Sequence, residues 1–221
     1  MHKKAFDIDE VIRRIRKKVE GFADAAMFDL RSRGFGTVFQ QLVACIISIR
    51  TRDEVSLPAA IRLLDKAPDA TSIAKLSERQ IDDLISTSTF HETKAKQIRA
   101  IAAATVKEYG GELPADSDVL MSFSGVGPKC ANLALGVAAG HQRISVDVHV
   151  ARVTVRWGYV EPGNPDQIRK RLENRLPERY WIEINRLLVP FGKHVCTGQL
   201  PKCSTCPVLA YCRQVGVTHH R

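Results

Sequence analysis

Helical periodicity dominates this sequence and leaves little room for β-strands. Apolar residues recur every three or four positions along most of the chain, which is the spacing of one helix face. Alternating patterns are sparse, and only "RISVDVHV" (residues 143–150) is expected to be briefly extended. Because amphipathic helices bury their apolar faces against other helices, the sequence predicts an all-α fold.

Caps and helix-breaking residues set the limits of the individual helices. Thr71 and Ser77 stand where N-caps are expected, and Gly110 follows the longest helix as its C-cap. The expected helices are 8–19, 37–49, 53–65, 72–75, 77–86, 93–109, 116–123, 128–139, 147–157, 165–176 and 178–189. The first helix alone makes a poor core, so we expect it to pack with the C-terminal helices. That arrangement inserts one helical domain within a discontinuous second one.

The surplus of basic residues indicates a polyanionic partner. Lysine and arginine number 33 against 24 aspartates and glutamates, and the formal net charge is +9. Clustered cations bind nucleic acid by contacting phosphates and releasing counterions, so nucleic acid is the leading partner. A basic protein without such a partner is the alternative on charge alone.

No stretch of the sequence predicts a membrane segment or a secretory signal. The longest uncharged run, residues 34–49, is shorter than the ~20 apolar residues that a spanning helix needs. The N-terminal stretch "MHKKAFDIDEVIRR" is charged and has no apolar core like that of a signal peptide. We therefore expect an intracellular protein, in which the six cysteines are metal ligands or buried thiols rather than disulfides.

Four of the cysteines form a compact motif near the C-terminus. Cys196, Cys203, Cys206 and Cys212 are spaced C-x6-C-x2-C-x5-C. Four thiolates accept either Zn²⁺ or a [4Fe–4S] cluster, and a single C-x2-C pair favours one compact cluster over a zinc ribbon. Four unrelated buried thiols are the weaker alternative.

The remaining two cysteines, Cys45 and Cys130, stand singly. Cys45 lies in an apolar helix, where core packing is expected. For Cys130 a buried thiol is favoured over a catalytic one.

The stretch "FSGVGPKCANLALG" (residues 123–136) joins two predicted helices through a glycine turn. Gly125 and Gly127 are both expected to take backbone conformations closed to residues with a Cβ. Such a turn exposes backbone N–H groups beside the positive end of the next helix, which suits a phosphate.

Lys129 follows this turn in the first turn of the next helix. The helix N-terminus and an expected partial burial both favour the neutral amine, which is a nucleophile able to form Schiff bases. The alternative is a lysine that only pairs with a phosphate.

Asp147 stands at the start of another predicted helix, in "VDVH". We expect it to be an N-cap and half-buried, and a short return of the chain brings it near Lys129. A carboxylate there accepts the proton of the amine or stabilises positive charge on a sugar, as in glycosidic bond chemistry. A plain cap is the alternative.

Three motifs follow one another in the sequence: the hairpin with its lysine, then "VDVH", then the four cysteines. In this order they resemble the endonuclease III family of helix-hairpin-helix DNA glycosylases with an iron–sulfur loop. The resemblance spans residues 28–212. It implies two helical domains flanking a DNA-binding cleft. A six-helix barrel with the hairpin covers residues 31–141, and residues 1–30 with 142–221 form a helical domain whose cluster loop is 196–212.

The resemblance also implies the reaction and its residues. Lys129 is the nucleophile that attacks C1′ of a flipped, oxidised pyrimidine nucleotide, and Asp147 is its partner. After loss of the base, the Schiff base undergoes β-elimination, which nicks the strand 3′ to the abasic site. The four cysteines hold [4Fe–4S] for structure and DNA binding. The residues expected to contact DNA are Gly125, Val126, Gly127, Arg50, Phe90, His149 and Lys202.

The expected setting follows from the same resemblance. The partner is double-stranded DNA with damaged bases or abasic sites, without any membrane association. The protein is expected to act as a monomer in the prokaryotic cytoplasm, at the nucleoid.

Several positions depart from the family pattern. Arg50 stands where the family often has a gap-filling glutamine, and Phe90 where it often has a leucine wedge. Ser124, Pro128 and Cys130 are also unusual in the hairpin. These departures bear on the range of substrates.

Two kinds of alternative function stay open. One is a mismatch glycosylase of the same fold, acting on adenine or thymine. The adenine branch uses an acidic residue in the helix that here reads "LVACIIS", which has none, and both branches tend to lack the lysine. The other is a non-catalytic iron–sulfur protein, either one that binds damaged DNA or a redox module that has kept the cluster.

Overall fold

A computed structural model describes residues 3–221, and every regular element in that range is helical. Met1 and His2, which begin the stretch considered above for a signal peptide, lie outside the described residues. The all-α fold predicted from the periodicity is confirmed. Among the helices of this range, none is both long and apolar enough to cross a bilayer.

Twelve α-helices occur between residues 3 and 221. In chain order they are α1 (Ile8–Val19), α2 (Ala26–Ser32), α3 (Val38–Ser48), α4 (Asp53–Lys66), α5 (Ala70–Lys75), α6 (Glu78–Ile85), α7 (His91–Tyr109), α8 (Ser117–Ser122), α9 (Pro128–Ala139), α10 (Val148–Arg156), α11 (Pro165–Glu173) and α12 (Glu183–His194). Short 3₁₀ turns lie at Glu178–Tyr180 and Cys203–Thr205.

The helices belong to two compact units. Ala26–Arg143 form one unit with α2 to α9, which we call the hairpin unit. Ile144–Arg221, together with the N-terminal residues up to Ala25, form the other, which we call the cysteine unit. Each unit has an apolar core of its own. The predicted domain limits, 31–141 against 1–30 with 142–221, and the six-helix barrel stay predictions.

Helix α3 lies at the centre of the hairpin unit. All its residues from Phe39 to Ile47 are buried, as is typical of a helix enclosed on every side. It packs most extensively against α9, in which Cys130 to Val137 are buried in turn. Thr37 begins α3 with a capping box, in which its hydroxyl accepts from the Gln40 N–H at 3.2 Å. The helix that carries Lys129 is therefore fixed by the core itself.

The core of the cysteine unit joins the first helix to the last. Ile12 and Ile15 of α1 are fully buried in the same cluster as Trp157 and Phe191. At the rim of this core, the Tyr180 hydroxyl donates to Asp9 Oδ1 at 2.6 Å. The N-terminal helix thus packs with the C-terminal ones.

The largest departure from the expected helices is near the C-terminus. One helix was expected at 178–189, but the chain forms a 3₁₀ turn and then α12, which continues through Pro190 to His194. Proline removes a backbone donor and disfavours a preceding helical residue. Burial of Val189 and Phe191 in the core holds the helix across this position. Helix α2 was not expected, and α11 ends at Glu173 instead of Leu176.

The expected N-cap at Thr71 is wrong, because Asp69 caps α5. The Asp69 carboxylate accepts from the Ser72 N–H at 2.7 Å, and the Asp69 N–H donates to the Ser72 hydroxyl at 3.2 Å. This capping box begins the helix two residues earlier than the sequence pattern indicated. Ser77 does cap α6 as expected.

Replacing Asp69 and Thr71 by alanine distinguishes the two caps. Asp69→Ala is expected to lower the free energy of unfolding by about 1 kcal/mol, and Thr71→Ala to change it by less than about 0.5 kcal/mol. The measurement is urea denaturation at neutral pH. A larger loss for Thr71→Ala would contradict the assignment.

The same pair has a pH signature. Hydrogen bonds from Ser72 lower the pKa of Asp69. A lowered folded-state pKa contributes stability above the ordinary Asp pKa of about 4 and loses it as pH falls through the lowered value. The difference between wild type and Asp69→Ala should therefore shrink in acid.

Candidate functional site

The hairpin between α8 and α9 is anchored at its base and open at its tip. Asp116 caps α8, with its Oδ1 accepting from the Asp118 N–H at 2.8 Å and the Val119 N–H at 2.9 Å. The Val126 N–H donates to the Phe123 carbonyl at 3.1 Å, and the Val126 side chain is buried in the core. The turn is therefore held by one apolar side chain while Gly125 beside it is exposed.

Only one of the two hairpin glycines has a conformation that favours glycine. Gly125 has φ +82°, in the left-handed region, and a Cβ there would overlap the Gln97 side-chain amide. Gly127 has φ −105° and ψ 177°, an extended conformation that any residue adopts, with open space around its Cα. The expectation of a special conformation at Gly127 is wrong. The absence of a side chain at Gly127 leaves its backbone open to an approaching ligand.

Lys129 lies at the second position of α9, after Gly127 as N-cap and Pro128 at the first helical position. No side chain caps this helix end, so its first N–H groups face the turn. The expected partial burial of Lys129 is wrong, because the residue is exposed. Its backbone lies at the helix N-terminus, which carries partial positive charge.

Cys130, next to Lys129, is a buried core thiol, as favoured from the sequence. Its Sγ atom lies 2.6 Å from the Sγ of Cys45 on α3. The contact with Cys45 and burial raise the pKa of the Cys130 thiol well above its ordinary value, so it is neutral at physiological pH. This contact joins α3 to α9 directly behind the lysine.

Arg50 and Phe90 come together at the surface of the hairpin unit. The Arg50 guanidinium carbon lies 5.7 Å from the centroid of the Phe90 ring, within cation–π range. Both residues have left-handed backbones, with φ 53° and 57°, and Phe90 is 57% exposed. A left-handed conformation in a residue with a Cβ costs free energy and is characteristic of functional sites. The two departures from the family pattern thus form one exposed pair.

Asp147 caps α10, as predicted. Its Oδ1 accepts from the His149 N–H at 2.9 Å and the Val150 N–H at 2.8 Å. The His149 ring Nδ1 lies 3.0 Å from Nη2 of Arg152, which also donates to the Gly192 carbonyl at 2.8 Å. Asp147 and His149 belong to the cysteine unit and Lys129 to the hairpin unit. The pairing of Asp147 with Lys129 stays a prediction.

The four motif cysteines line one largely apolar pocket in the cysteine unit, beside Trp157 and Phe191. Burial, followed by the neighbouring motif thiols, raises the pKa of Cys206 to about 12. Among the residues 3–221, no group of three or more His, Cys, Asp or Glu side chains is arranged to hold a metal ion. The structure thus brings the four cysteines to one pocket. Their role as a ligand set, Cys196, Cys203, Cys206 and Cys212, stays a prediction.

Arg156 holds the loop that carries the first of these cysteines. Its guanidinium donates to the Thr197 carbonyl at 2.6 Å and to the Gly198 carbonyl at 2.8 Å, and lies 3.5 Å from the Cys196 sulfur. The Gln214 N–H lies 3.4 Å from the Cys212 sulfur. Sulfur atoms that accept N–H donors inside a largely apolar pocket suit an iron–sulfur cluster. Lys202 is exposed in the same loop.

Sequence reasoning missed Lys94. This lysine is on α7, in register with the buried Ile98, Ile101 and Thr105, so a cation interrupts an apolar stripe. That interruption was the available signal. Its Nζ atom donates to the main chain just before Arg50.

Comparison with known proteins identifies the family. The sequence model described as "HhH-GPD superfamily base excision DNA repair protein" matches residues 43–178. Endonuclease III of Thermotoga maritima is 34% identical over 174 residues, which are 79% of this chain and 82% of that protein. Endonuclease III-like proteins of animals and plants also match, and the chain spans 61% of the chicken protein and 48% of an Arabidopsis one.

Two solved structures share the fold. A non-covalent endonuclease III–DNA complex has a TM-score of 0.80 at 26% identity, covering 93% of this chain and 95% of that one. A trapped endonuclease III–DNA covalent intermediate, an estranged-adenine complex, has a TM-score of 0.75 at 30% identity, covering 80% and 84%.

The chain therefore belongs to the HhH-GPD superfamily of base excision DNA repair proteins. Within that superfamily its relatives of similar length include endonuclease III proteins of bacteria, so the family predicted from the three motifs is confirmed. Endonuclease III homologues are DNA glycosylases and abasic-site lyases, and the predicted enzyme class is confirmed with them.

Alanine at each hairpin glycine separates conformation from access. Gly125→Ala is expected to lower the free energy of unfolding by about 1–2 kcal/mol, because an L-residue there adopts a left-handed backbone. Gly127→Ala is expected to keep or slightly raise the stability, because its backbone is already extended. Urea denaturation of both variants is the measurement. Equal losses at the two positions would contradict the geometry.

Proposed function

We propose that the chain is a bifunctional DNA glycosylase that removes oxidised pyrimidines from duplex DNA and then cleaves the abasic strand. The observation that carries the proposal is Lys129, an exposed amine in the first turn of α9 directly after the hairpin turn. The resemblance to an endonuclease III trapped in a covalent intermediate with DNA supports a nucleophile in this family.

The hairpin is proposed to grip a phosphate beside the lesion. The turn at Gly125, Val126 and Gly127 leads into the positive end of α9, which no side chain caps, and the open space where a Cβ of residue 127 would stand would admit a phosphate to the backbone. The net charge of +9 supports the same partner. Arg50 and Phe90 would enter the duplex where the damaged nucleotide has left the stack, while His149 and Lys202 would contact the DNA from the cysteine unit.

The proposed chemistry is a substitution followed by an elimination. The neutral Lys129 amine attacks C1′, the bond from C1′ to the base breaks, and the base leaves with the electron pair and takes a proton. Asp147 accepts the amine proton and stabilises positive charge on the sugar. The C1′–O4′ bond then breaks as the nitrogen forms the Schiff base, and the ring oxygen takes the proton held by Asp147. Water takes a proton from C2′, the C3′–O bond breaks and its phosphate leaves with the electron pair, and a second water hydrolyses the Schiff base to free the lysine.

We also propose that the four cysteines hold a [4Fe–4S] cluster. Four thiols in one apolar pocket, with N–H donors near two of the sulfurs, support this donor set. The cluster would supply structure to the loop that presents Lys202. The raised pKa of Cys206 means that binding iron must displace its proton.

The proposed setting is the nucleoid of a prokaryotic cell, where the protein acts as a monomer on damaged duplex DNA. Endonuclease III proteins of two bacteria are among the relatives, at 34% and 33% identity, which supports a bacterial setting.

Borohydride trapping tests the covalent step. Wild-type protein with a duplex containing an abasic site is expected to give a covalent adduct on a denaturing gel, because borohydride reduces the Schiff base. Lys129→Gln is expected to bind the duplex and give no adduct. Lys107→Gln, at an exposed lysine in the last turn of α7, is the matched control and keeps wild-type trapping. Absence of a wild-type adduct would refute the lyase.

Duplexes with different lesions test the substrate class in the same assay. Base release and strand nicking are scored separately on thymine glycol, dihydrouracil and mismatched duplexes. Release from the two oxidised pyrimidines is expected. Release only from adenine or thymine mismatches would favour the mismatch alternative, and DNA binding without any release or adduct would favour the non-catalytic one.

Asp147→Asn separates the cap from the catalytic carboxylate. Asparagine caps helices as well as aspartate, so unfolding stability should stay near wild type. Base excision is expected to fall by about 10²- to 10⁴-fold, because the charge and the proton acceptor are lost. Wild-type excision rates in Asp147→Asn would mean that the residue is a cap alone.

Iron and sulfide analysis tests the cluster. Anaerobically purified wild type is expected to contain about four iron and four sulfide per chain, and Cys206→Ser to lose both. Cys45→Ala, at a buried cysteine of the hairpin unit, should retain the full complement. A wild-type protein with one zinc and no sulfide would overturn the cluster.

A further inference from the structure

Lys94 is a buried cation with a complete set of acceptors. Only 3% of its surface is exposed. Its Nζ atom donates to the Ile47 carbonyl at 2.7 Å, the Ile49 carbonyl at 2.8 Å and the Thr51 hydroxyl at 3.1 Å. An ammonium group has three donors, and each has one acceptor here.

The acceptors lie where α3 ends. A helix leaves its last carbonyls without partners within the helix, and its C-terminus carries partial negative charge. The ammonium group satisfies both needs in a place that water does not reach. Burial lowers the pKa of Lys94 to about 8, so the amine is still largely protonated at neutral pH.

The side chain of Lys94 therefore binds the residues on both sides of Arg50, through the Ile49 carbonyl and the Thr51 hydroxyl. Ile49 precedes Arg50 and Thr51 follows it, and both are bound by the same Nζ atom. Arg50 itself has a left-handed backbone, with φ 53°, which is unfavourable in a residue with a Cβ. Such a conformation persists only where the surroundings impose it.

The backbone of Lys94 and the Thr51 hydroxyl reach the second loop. The Lys94 N–H donates to the Phe90 carbonyl at 3.1 Å. The Thr89 N–H donates to the Thr51 hydroxyl at 3.1 Å, so the hydroxyl that binds Lys94 also binds the residue before Phe90. One lysine and one threonine connect the two left-handed residues that meet at the surface.

We propose that Lys94 is a positioning residue that holds Arg50 and Phe90 as one preformed element for insertion into the duplex. The proposal rests on the proposed function, in which this pair enters the DNA beside the lesion. Lys94 does not touch DNA and acts only through the two loops. Because the loops are already ordered, base flipping does not incur the cost of ordering them. Loss of this order is therefore expected to slow excision from duplex DNA, and to slow the reaction of the lysine amine with an abasic single strand much less.

The test compares Lys94→Met with Ile98→Val, a conservative change one turn along the same buried face of α7. Methionine fills a similar volume and removes the donors. Single-turnover base release from a duplex with thymine glycol is expected to fall about 10- to 100-fold in Lys94→Met at saturating enzyme. Borohydride trapping on a single-stranded abasic oligonucleotide, which has no duplex to enter, should change less than threefold. Ile98→Val should keep both.

A double-mutant cycle shows whether Lys94 acts through the pair. In the background of Arg50→Ala with Phe90→Ala, Lys94→Met is expected to cause little further loss of duplex excision. An undiminished further loss would overturn the proposal. Provided that wild type is active, two other results for Lys94→Met would also overturn it. One is an equal loss of duplex base release and single-strand trapping, and the other is an unchanged rate of duplex base release.

A second variant keeps the proposal testable if Lys94→Met fails to fold. Thr51→Val removes the hydroxyl that joins Lys94 to Thr89 and keeps the size of the side chain. It is expected to show the same selective loss on duplex DNA, and wild-type behaviour on both substrates would overturn the proposal. If wild type itself released no base and gave no adduct, the proposed function would fail instead.

Discussion

Burial of α3 inside the hairpin unit is the constraint on which the candidate site depends. The middle of this helix packs against α9, where the Cys45–Cys130 contact lies directly behind Lys129. Its C-terminal end leads into Arg50 and is bound by Lys94. A close-packed core resists displacement. The start of α9 and the Arg50 loop are therefore both positioned by the same buried helix. The backbone of Lys129 and the residues that lead into the Arg50–Phe90 pair are thus held by the core of the hairpin unit.

The sequence was sufficient where a local rule coincided with the tertiary structure. The limits of α9, between Pro128 and Gly140, follow from a proline at the first turn and a left-handed glycine at the end. The cap at Asp147 follows from a carboxylate before an apolar helix. The rules failed where packing overrode them, as at Pro190, which lies inside α12 because its neighbours are buried. Thr71 is a similar case, because a better cap stood two residues earlier.

The residues of the candidate site were predicted from the sequence one by one, while the residues that support them were not. Lys129, Asp147 and the four cysteines stand out because their types and spacing are specific to a chemistry. Lys94 carries no motif, and a lone lysine within a helical pattern is normally assigned to the surface. Its role depends on carbonyls 45 and 47 residues away in sequence, and only the fold brings these together. The unequal conformations of Gly125 and Gly127 were hidden for the same reason.

The surface that we assign to DNA combines features that each cost stability in the free protein. Arg50 and Phe90 have left-handed backbones, Phe90 exposes most of its ring, and Lys94 is a cation removed from water. A buried ammonium is tolerated when its donors are satisfied, and Lys94 has three acceptors, two of them carbonyls at the end of α3. The hydrogen bonds of Lys94 thus compensate for its desolvation and at the same time hold the strained backbone at Arg50. Without these hydrogen bonds, a flexible loop would leave the left-handed conformation of Arg50.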